Sequence, residues 1–345
     1  MTAVAPFGDN KTRLWGLTAQ ERLRRIARAQ GLEVRPDGEV LVDLGYAFDP
    51  AWLKLAASRP GLTITREGVP VLIHKSEGPA ETLAWEEVDG LGNEELRKKE
   101  RPFMDRLVPE TVPALERASY FGAYKGVTDL LTKYLWPEWA LVLTRWAARI
   151  GMSPNQVSSI GAILCLVATW LFYEGRYWPG LAAGLVFMIL DTVDGKLARC
   201  TITSSRIGEA IDHGIDLVHP PFWWWAWGVG LHAWGRPLEP SVFWWALAII
   251  VGGYVVQRLI EGAFILRFKM HIHVWRRFDS RFRLITARRN PNMVILLASL
   301  IAGRPDWGLL AVAAWTVISL GVHLVQLLQA MAAQAAGRPV VSWLA

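Results

Sequence analysis

Long apolar stretches separated by short polar breaks occupy residues 153 to 333, whereas residues 1 to about 145 are mixed and rich in charge. A helix needs about 20 apolar residues to cross roughly 30 Å of hydrocarbon, because its backbone groups must bond within the segment. The contrast predicts a soluble N-terminal head joined to a helical membrane body. A chain of 345 residues, of which 52% are hydrophobic, is long enough for both parts.

Six stretches have the length of a membrane-spanning helix. They comprise residues 154–173, 178–199, 207–233, 240–264, 290–304 and 307–331. The fifth is the weakest, because its apolar part is short before Arg304, Pro305 and Asp306, and the C-terminus changes sides if it does not cross. We therefore predict an α-helical integral membrane protein with six transmembrane helices, preceded by a small cytoplasmic α/β domain.

The predicted domains are a cytoplasmic α/β head in residues 1–100, a linker with an interfacial helix in residues 101–150, and the membrane domain in residues 151–335. In the head, hydrophobic patterning predicts helices near TAQERLRRIARAQ and DPAWLKLAAS and strands in EVLVDLGY, LTITRE and VPVLIHK. The segment 117–149 is basic, aromatic and amphipathic, so we expect it to lie along the cytoplasmic membrane interface.

Basic residues are concentrated in alternate breaks between the apolar stretches. The breaks near residues 176, 236 and 304 hold one arginine each, whereas the segments 196–206 and 267–289 hold many basic residues. Basic loops stay in the cytoplasm, so we place the head and these segments on the cytoplasmic side of the inner membrane. Anionic lipid headgroups explain the net charge of +6 better than nucleic acid does.

The two cysteines, Cys165 and Cys200, support neither a disulfide framework nor a zinc site.

Four aspartates lie in the stretch DTVDGKLARCTITSSRIGEAIDHGIDLVHP, between the second and third apolar segments. Asp191 and Asp194 are three residues apart, and Asp212 and Asp216 are four residues apart. On helices each pair shares one face, and the short loop between them favours antiparallel neighbouring helices. Four carboxylates this close to lipid would repel one another and become protonated unless cations lie among them.

Carboxylate oxygens without clusters of histidine or cysteine select magnesium, manganese or calcium. A pair of such ions can hold a diphosphate and neutralise charge as a phosphorus–oxygen bond breaks. Gly195 and Gly208 would let the backbone approach a phosphate group closely. Ala198 is small, and Arg199 supplies a planar donor for phosphate oxygens. The alternatives are a solvated loop with salt bridges, or a cation transporter, whose acidic residues should lie nearer the membrane midplane.

These residues resemble the signature of the CDP-alcohol phosphotransferases, Asp-x2-Asp-Gly-x2-Ala-Arg-x8-Gly-x3-Asp-x3-Asp. Every fixed position is met, by Asp191, Asp194, Gly195, Ala198, Arg199, Gly208, Asp212 and Asp216. The resemblance covers roughly residues 120–335 and includes the stretch SPNQVSSIG, similar to the Thr-Pro-Asn found before the first span in that family. It implies a six-helix membrane enzyme, usually a homodimer, that transfers the phosphoalcohol part of a CDP-alcohol to a hydroxyl acceptor and releases CMP.

The resemblance also implies roles for the signature residues. Two divalent cations, Mg²⁺ or Mn²⁺, would be held by Asp191, Asp194, Asp212 and Asp216. The CDP pocket would be shaped by Gly195, Ala198, Arg199 and Gly208. Asp216 would also be the candidate base for the acceptor hydroxyl.

His213 is a second candidate for this base. The triplet Asp212-His213-Gly214 resembles the Asp-His-Gly of choline and ethanolamine phosphotransferases, and an imidazole has a pKa suited to taking the proton. The favoured alternative is structural, because His213 is adjacent to Asp212 and so points elsewhere on the helix, where it would form a hydrogen bond within the bundle.

The head resembles a reduced α/β sugar nucleotidyltransferase domain, which is fused to some relatives that make inositol phosphodiesters. The stretch FGDNKTRLWGL is similar to the nucleotide loop of that family but lacks its glycine run, so we expect a non-catalytic head with a role in regulation or dimer contact.

Basic residues near the membrane could surround an anionic acceptor or a lipid phosphate. They are Lys125, Arg145 and the arginines of RRFDSRFRLITARRN, and for any single one of them lipid anchoring is the better explanation. Arg258 and Glu261, three residues apart, are expected to form a structural ion pair or to shape the acceptor cavity.

The predicted function is that of a membrane CDP-alcohol phosphotransferase of phospholipid synthesis. Its partners would be membrane lipids, a second copy of the chain, a hydroxyl acceptor and a CDP-alcohol donor, either CDP-diacylglycerol or a CDP-headgroup. The Asp-His-Gly triplet favours a CDP-headgroup with a lipid alcohol acceptor, whereas the head favours a soluble CDP-polyol. The alternative from another class is a non-enzymatic membrane protein that binds or transports divalent cations.

Overall fold

The computed structural model describes residues 2–93, 96–204 and 206–344, with the backbone alone for 206–213. The chain forms two compact units. The first contains Met1–Lys125, Leu141–Pro154 and Val193–Ser205, and the second contains Gly126–Ala140, Asn155–Thr192 and Arg206–Ala345. The sequence-based boundaries at residues 100 and 150 stay predictions.

A six-stranded mixed sheet forms the centre of the first unit. Its strands, in spatial order, are β4 (Glu33–Val34), β1 (Ala3–Phe7), β5 (Val40–Asp43), β8 (Val69–His74), β7 (Leu62–Arg66) and β9 (Glu81–Ala84). Strand β1 runs parallel to β4 and β5, whereas β8 runs antiparallel to its two neighbours. Three small antiparallel pairs join β2 (Arg13–Leu14) to β3 (Leu17–Thr18), β6 (Tyr46–Phe48) to β12 (Met104–Arg106), and β10 (Leu91–Asn93) to β11 (Lys98–Glu100).

Two helices, α1 (Ala19–Ala29) and α2 (Pro50–Ser58), pack against this sheet. The start of α1 is fixed by Thr18, whose hydroxyl accepts a hydrogen bond from the Glu21 amide at 3.2 Å. Asp49 caps α2 in the same way, with Pro50 in the first turn. The α/β character predicted for the N-terminal region is confirmed.

The rest of the first unit is helical. It contains α3 (Val112–Gly122), most of α4 (Pro137–Arg149) and the C-terminal end of α6 (Tyr177–Cys200). Trp15 of the head donates to the Ser119 hydroxyl of α3 at 2.7 Å, and Arg145 of α4 forms an ion pair of 2.9 Å with Glu116 of α3. These contacts connect α3 and α4 to the sheet region.

The second unit is a bundle of long helices. Besides most of α6 it contains α5 (Pro154–Tyr173), α7 (Arg206–Gly230), α8 (Pro240–Phe268), α9 (Arg277–Phe282), α10 (Arg289–Ile301) and α11 (Pro305–Ala335). It also contains a π-helical turn at Leu131–Leu135 and a 3-10 turn at Ile272–Val274. A further 3-10 turn, Trp85–Glu87, belongs to the first unit. Within the described residues, three helices are long and apolar enough to cross a membrane: α5, α8 and α11. The chain is therefore a membrane protein, but the predicted number of six spans is not confirmed.

A group of tryptophans from α7 fills the core of the helical unit. Trp223, Trp224 and Trp227 are at most 1% exposed and pack within the core of this unit. Trp227 donates to the carbonyl of Pro305 at 3.1 Å, and its own carbonyl accepts from the Tyr177 hydroxyl at 2.6 Å. Through its ring and its backbone carbonyl, Trp227 therefore joins α7 to α11 and α6.

Replacing Trp227 by alanine should lower the free energy of unfolding by roughly 3–5 kcal/mol, because an emptied indole site in a packed core leaves a cavity. Thermal unfolding in detergent measures the loss. The matched control is Trp245→Ala, because this ring on α8 is 72% exposed. Equal losses in the two variants would contradict the packing described for α7.

Candidate functional site

The C-terminal end of α6 carries the first part of the aspartate signature. Asp194 is buried, and its Oδ1 accepts from the Gly195 amide at 2.5 Å. The Arg199 guanidinium lies over Gly195, since a Cβ built on that glycine would be 3.1 Å from Arg199 Nη2. A side chain at position 195 would therefore press against the guanidinium. Together with the half-buried Ala198, these residues occupy the last two turns of α6.

Arg289 joins two of the predicted metal ligands within the second unit. Its Nη2 donates to Asp191 Oδ2 at 2.8 Å, and its Nη1 donates to Asp216 Oδ1 at 2.7 Å. The exposed fraction is 12% for Arg289, 17% for Asp191 and 43% for Asp216. Two carboxylates share one guanidinium, so the group keeps an excess of negative charge in a place where charge is poorly solvated.

This donor set fits a hard divalent cation. Carboxylate oxygens are the atoms that Mg²⁺ and Mn²⁺ prefer, and the Asp216 carboxylate is partly exposed. The structure brings Asp191 and Asp216 together through Arg289, and it places Asp194 one helical turn after Asp191 on α6. The assignment of the aspartates as metal ligands stays a prediction.

Three predicted site residues, Gly208, Asp212 and His213, lie outside the residues whose side chains the structure describes. Their backbone belongs to the first turns of α7. Their predicted roles in the CDP pocket, in metal binding and as a base therefore stay predictions.

Two consecutive prolines, Pro220 and Pro221, lie inside α7 just after Asp216. Proline has no N–H group, so the carbonyls four residues earlier, those of Asp216 and Leu217, lose their helical partners. The Tyr254 hydroxyl of α8 lies 3.1 Å from the Leu217 carbonyl and 3.4 Å from the Asp216 carbonyl, and donates to this pair. Tyr254 therefore holds the backbone that carries the Asp216 carboxylate.

The first turn of α10 also binds the segment before α4. Asn290 donates to Asp129 Oδ1 at 3.0 Å and to the Thr132 hydroxyl at 3.2 Å. Burial raises the pKa of Asp129, but the charge of Arg283 and the hydrogen bonds from Thr132 and Asn290 outweigh it, so this pKa lies below its ordinary value. Asp129 is therefore an ionised anchor for α10 beside Arg289.

A second acidic group lies around Glu261. The ion pair with Arg258 expected from the sequence is present at 2.7 Å, and Arg288 donates to both Glu261 oxygens at 2.6 Å. Glu261, His273 and His323 each offer one ligand atom within 4.8 Å of one another, an arrangement that a metal could use. However, Arg288 also lies 3.3 Å from His273 Nε2, so a guanidinium already occupies the approach to this group. Two arginines neutralise Glu261 and would repel a dication, which favours a structural role.

Sequence reasoning groups Arg289 with the lipid-anchoring arginines of its loop and so misses its contact with the aspartates. One signal could have found it. Arg288 is the N-cap and Arg289 the first residue of α10, and cations are unfavourable at a helix N-terminus. Basic residues in that position need acidic partners, which α6, α7 and α8 supply.

Comparison with known proteins supports the resemblance. Residues 151–317 match the profile of the family described as CDP-alcohol phosphatidyltransferase, the same family that the aspartate signature resembles. Cholinephosphotransferase 1 of Gallus gallus is 32% identical over 130 residues, which is 34% of this chain and 36% of that protein.

Similar relatives include Choline/ethanolaminephosphotransferase 1 of Arabidopsis thaliana, 30% identical over 30% of this chain and 29% of that protein. Cholinephosphotransferase 1 of Homo sapiens is 33% identical over 31% of this chain and 28% of that protein. The matched part thus spans about a third of the length of these relatives, 28% to 36%.

Replacing Arg289 by alanine should destabilise the protein in a chelator by roughly 3–5 kcal/mol, because Asp191 and Asp216 would lose their shared countercharge. Adding Mn²⁺ should then restore more stability to the variant than it adds to the unchanged protein. Melting temperatures in detergent, with and without Mn²⁺, measure both effects. Arg281→Ala, at an exposed arginine of α9, is the control. Similar behaviour of the two variants would refute the bridging role.

Replacing Tyr254 by phenylalanine should lower the free energy of unfolding by about 1 kcal/mol, since two carbonyls of α7 lose their donor. Tyr173→Phe, at a ring that is 44% exposed, should have a much smaller effect. Detergent melting curves of both variants provide the comparison. Indistinguishable curves for Tyr254→Phe and the unchanged protein would show that the carbonyls are satisfied in another way.

Proposed function

We propose that the protein is a membrane CDP-alcohol phosphotransferase of phospholipid biosynthesis, because residues 151–317 match the family profile described as CDP-alcohol phosphatidyltransferase. The observation that carries this proposal is the pairing of Asp191 with Asp216 through Arg289, on the helices that carry the family signature. In the proposed reaction the phosphoalcohol part of a CDP-alcohol passes to a hydroxyl acceptor, and CMP is released.

The bond changes define what the residues must do. The acceptor oxygen forms a bond to the phosphorus that carries the alcohol, and the bond from that phosphorus to the bridging oxygen breaks. CMP leaves with the electron pair on this oxygen. The hydroxyl proton passes to a base, for which Asp216 is our first candidate and His213 the second. Asp216 suits the role because 43% of its side chain is exposed and the Tyr254 hydroxyl holds its backbone.

Two divalent cations, Mg²⁺ or Mn²⁺, would be held by the four aspartates of the signature and would supply charge neutralisation to the pyrophosphate. Arg289 keeps Asp191 and Asp216 together and limits their repulsion. Arg199 would donate to a phosphate oxygen, and Gly195 leaves room for its guanidinium. Gly195, Ala198 and Gly208 would give the CDP group close access to backbone.

A CDP-headgroup donor with a lipid alcohol acceptor is the first substrate pair to test. Its support is the Asp-His-Gly triplet at 212–214 and the names of the similar cholinephosphotransferases. CDP-diacylglycerol with a polyol acceptor, and a soluble CDP-polyol donor, are the other pairs to compare.

We further propose six membrane spans, a homodimer, a location in the inner membrane with the site and head in the cytoplasm, and a non-catalytic head related to nucleotidyltransferases.

The test is release of CMP by purified protein in detergent with Mn²⁺ and a panel of CDP-headgroups or CDP-diacylglycerol. Asp194→Asn, Asp212→Asn and Asp216→Asn should each lower turnover at least about a hundredfold, because each change removes a charged ligand from the metal and pyrophosphate site. Glu239→Gln, at an exposed position outside the signature, is the control.

Unchanged turnover in the folded aspartate variants would refute the catalytic assignment. Cation flux into vesicles without any nucleotide turnover would favour a cation-binding or transporting protein instead. Lipid profiling after deletion of the gene would name the donor and acceptor through the lipid species that disappears.

A further inference from the structure

Two arginines of the head bind the C-terminal end of α6. Arg22 is buried, and its guanidinium donates to the carbonyls of Cys200 at 3.3 Å and of Phe48 at 3.1 Å. Arg25, one turn later on α1, donates to the Thr201 carbonyl at 2.9 Å. The last carbonyls of a helix lack helical partners and carry the negative end of its dipole, so two guanidinium groups there are stabilising.

The turn that ends α6 has a conformation that its own sequence disfavours. Ile202 has φ = +54°, in the left-handed region, where a β-branched residue is rare and strained. The Ile202 amide donates to the Arg199 carbonyl at 3.3 Å, and the Thr203 amide donates to the Ala198 carbonyl at 2.8 Å. This is the Schellman arrangement, in which glycine is usual at the position of Ile202. An outside contact must therefore help to hold the turn, and Arg22 and Arg25 provide it.

A lysine of α6 fixes the same end of the helix from a second side. Lys196 is only 3% exposed, and its Nζ donates to the Ala123 carbonyl at 2.7 Å and lies 3.3 Å from the centre of the Tyr124 ring. Lys98 of the head donates to the neighbouring Gly122 carbonyl at 2.5 Å. The end of α3 is thus capped by one lysine from the head and one from α6.

Lys196 lies between Gly195 and Ala198, so these contacts act on the signature itself. The turn closed by Ile202 accepts its bonds at the Ala198 and Arg199 carbonyls. If the end of α6 rotates or frays, Asp194 and Arg199 change position. Misplacement of a catalytic group by about 1 Å can lower a rate roughly a hundredfold.

We propose that the head is a positioning device for the donor-binding end of α6, with Arg22 and Arg25 as its positioning residues. This inference rests on the proposed transferase function. It gives the head a part in the reaction without any nucleotidyl chemistry of its own, because its arginines act on the backbone of α6 and not on the substrate.

The activity test uses the full chain in detergent with Mn²⁺ and the CDP-alcohol donor that gives the fastest CMP release in the panel described above. Arg22→Ala should lower kcat/KM for the donor by roughly tenfold or more, since a charged hydrogen bond to the end of α6 is lost. Arg25→Ala should give a smaller loss, because Arg25 is partly exposed and its carbonyl partner, that of Thr201, lies just beyond the last residue of α6. The matched control is Arg24→Ala, which removes an exposed arginine from the same helix. It should leave kcat/KM unchanged.

Cys200 provides a second readout that does not need turnover. Its side chain is 3% exposed, and in a Cys165→Ser background it is the only thiol of the chain. Arg22→Ala should raise the rate at which a maleimide labels Cys200, whereas Arg24→Ala should not. Ile202→Gly relieves the strain of the turn that ends α6. Adding it to Arg22→Ala should therefore restore slow labelling of Cys200 and part of kcat/KM. An unfolded head would not recover in this way, so the double variant separates loss of positioning from loss of folding.

The outcomes separate the two proposals. Active Arg22→Ala and Arg25→Ala proteins with unchanged kcat/KM would overturn the positioning role while the transferase function stands. Absence of turnover in the unchanged protein would overturn the proposed transferase function. The labelling of Cys200 would then test by itself whether Arg22 holds the end of α6. Equal labelling rates in Arg22→Ala and Arg24→Ala would overturn that role. If Arg22→Ala does not fold, Arg25→Ala decides by the same two measurements.

Discussion

The ion pairs of Arg289 with Asp191 and Asp216 are the interaction on which the helical unit and its site both depend. They join the start of α10 to α6 and α7, the two helices that carry the aspartate signature. Neighbouring residues extend the connection, because Arg288 binds Glu261 of α8 and Asn290 binds Asp129. Side chains from a single helical turn thus fix the relative positions of three other helices and of the segment before α4.

Local rules of helix structure are broken at α10, inside α7 and at the end of α6. Basic residues begin α10, two prolines interrupt α7 after Asp216, and isoleucine takes a left-handed conformation after α6. Each irregularity is stabilised by a residue elsewhere in the chain. Aspartates pair with Arg289, and the Tyr254 hydroxyl donates to the carbonyls that the two prolines leave without a helical donor. The arginines of α1 bind the turn at Ile202. Such exceptions are typical of functional sites, where geometry is maintained at some loss of local stability.

Much of this arrangement could be predicted from the sequence. The apolar stretches predicted the long helices α5, α8 and α11, and patterning predicted the α/β head with α1 close to its observed range. The spacing of Asp191 and Asp194 predicted a shared helical face on α6. Arg289 could not be assigned in the same way, because its partners lie 73 and 98 residues away and helical periodicity carries no information about such contacts. The contacts of Arg22 with α6 are likewise long-range and involve backbone carbonyls, which any sequence would provide.

The most direct measurement is an experimental structure with Mn²⁺ and a cytidine diphosphate alcohol, in which anomalous scattering locates the metal. We expect manganese bound by Asp191, Asp194, Asp212 and Asp216, next to the pyrophosphate and within reach of Arg199. Manganese bound at Glu261, His273 and His323 alone, or aspartates that face solvent without any ion, would contradict the account.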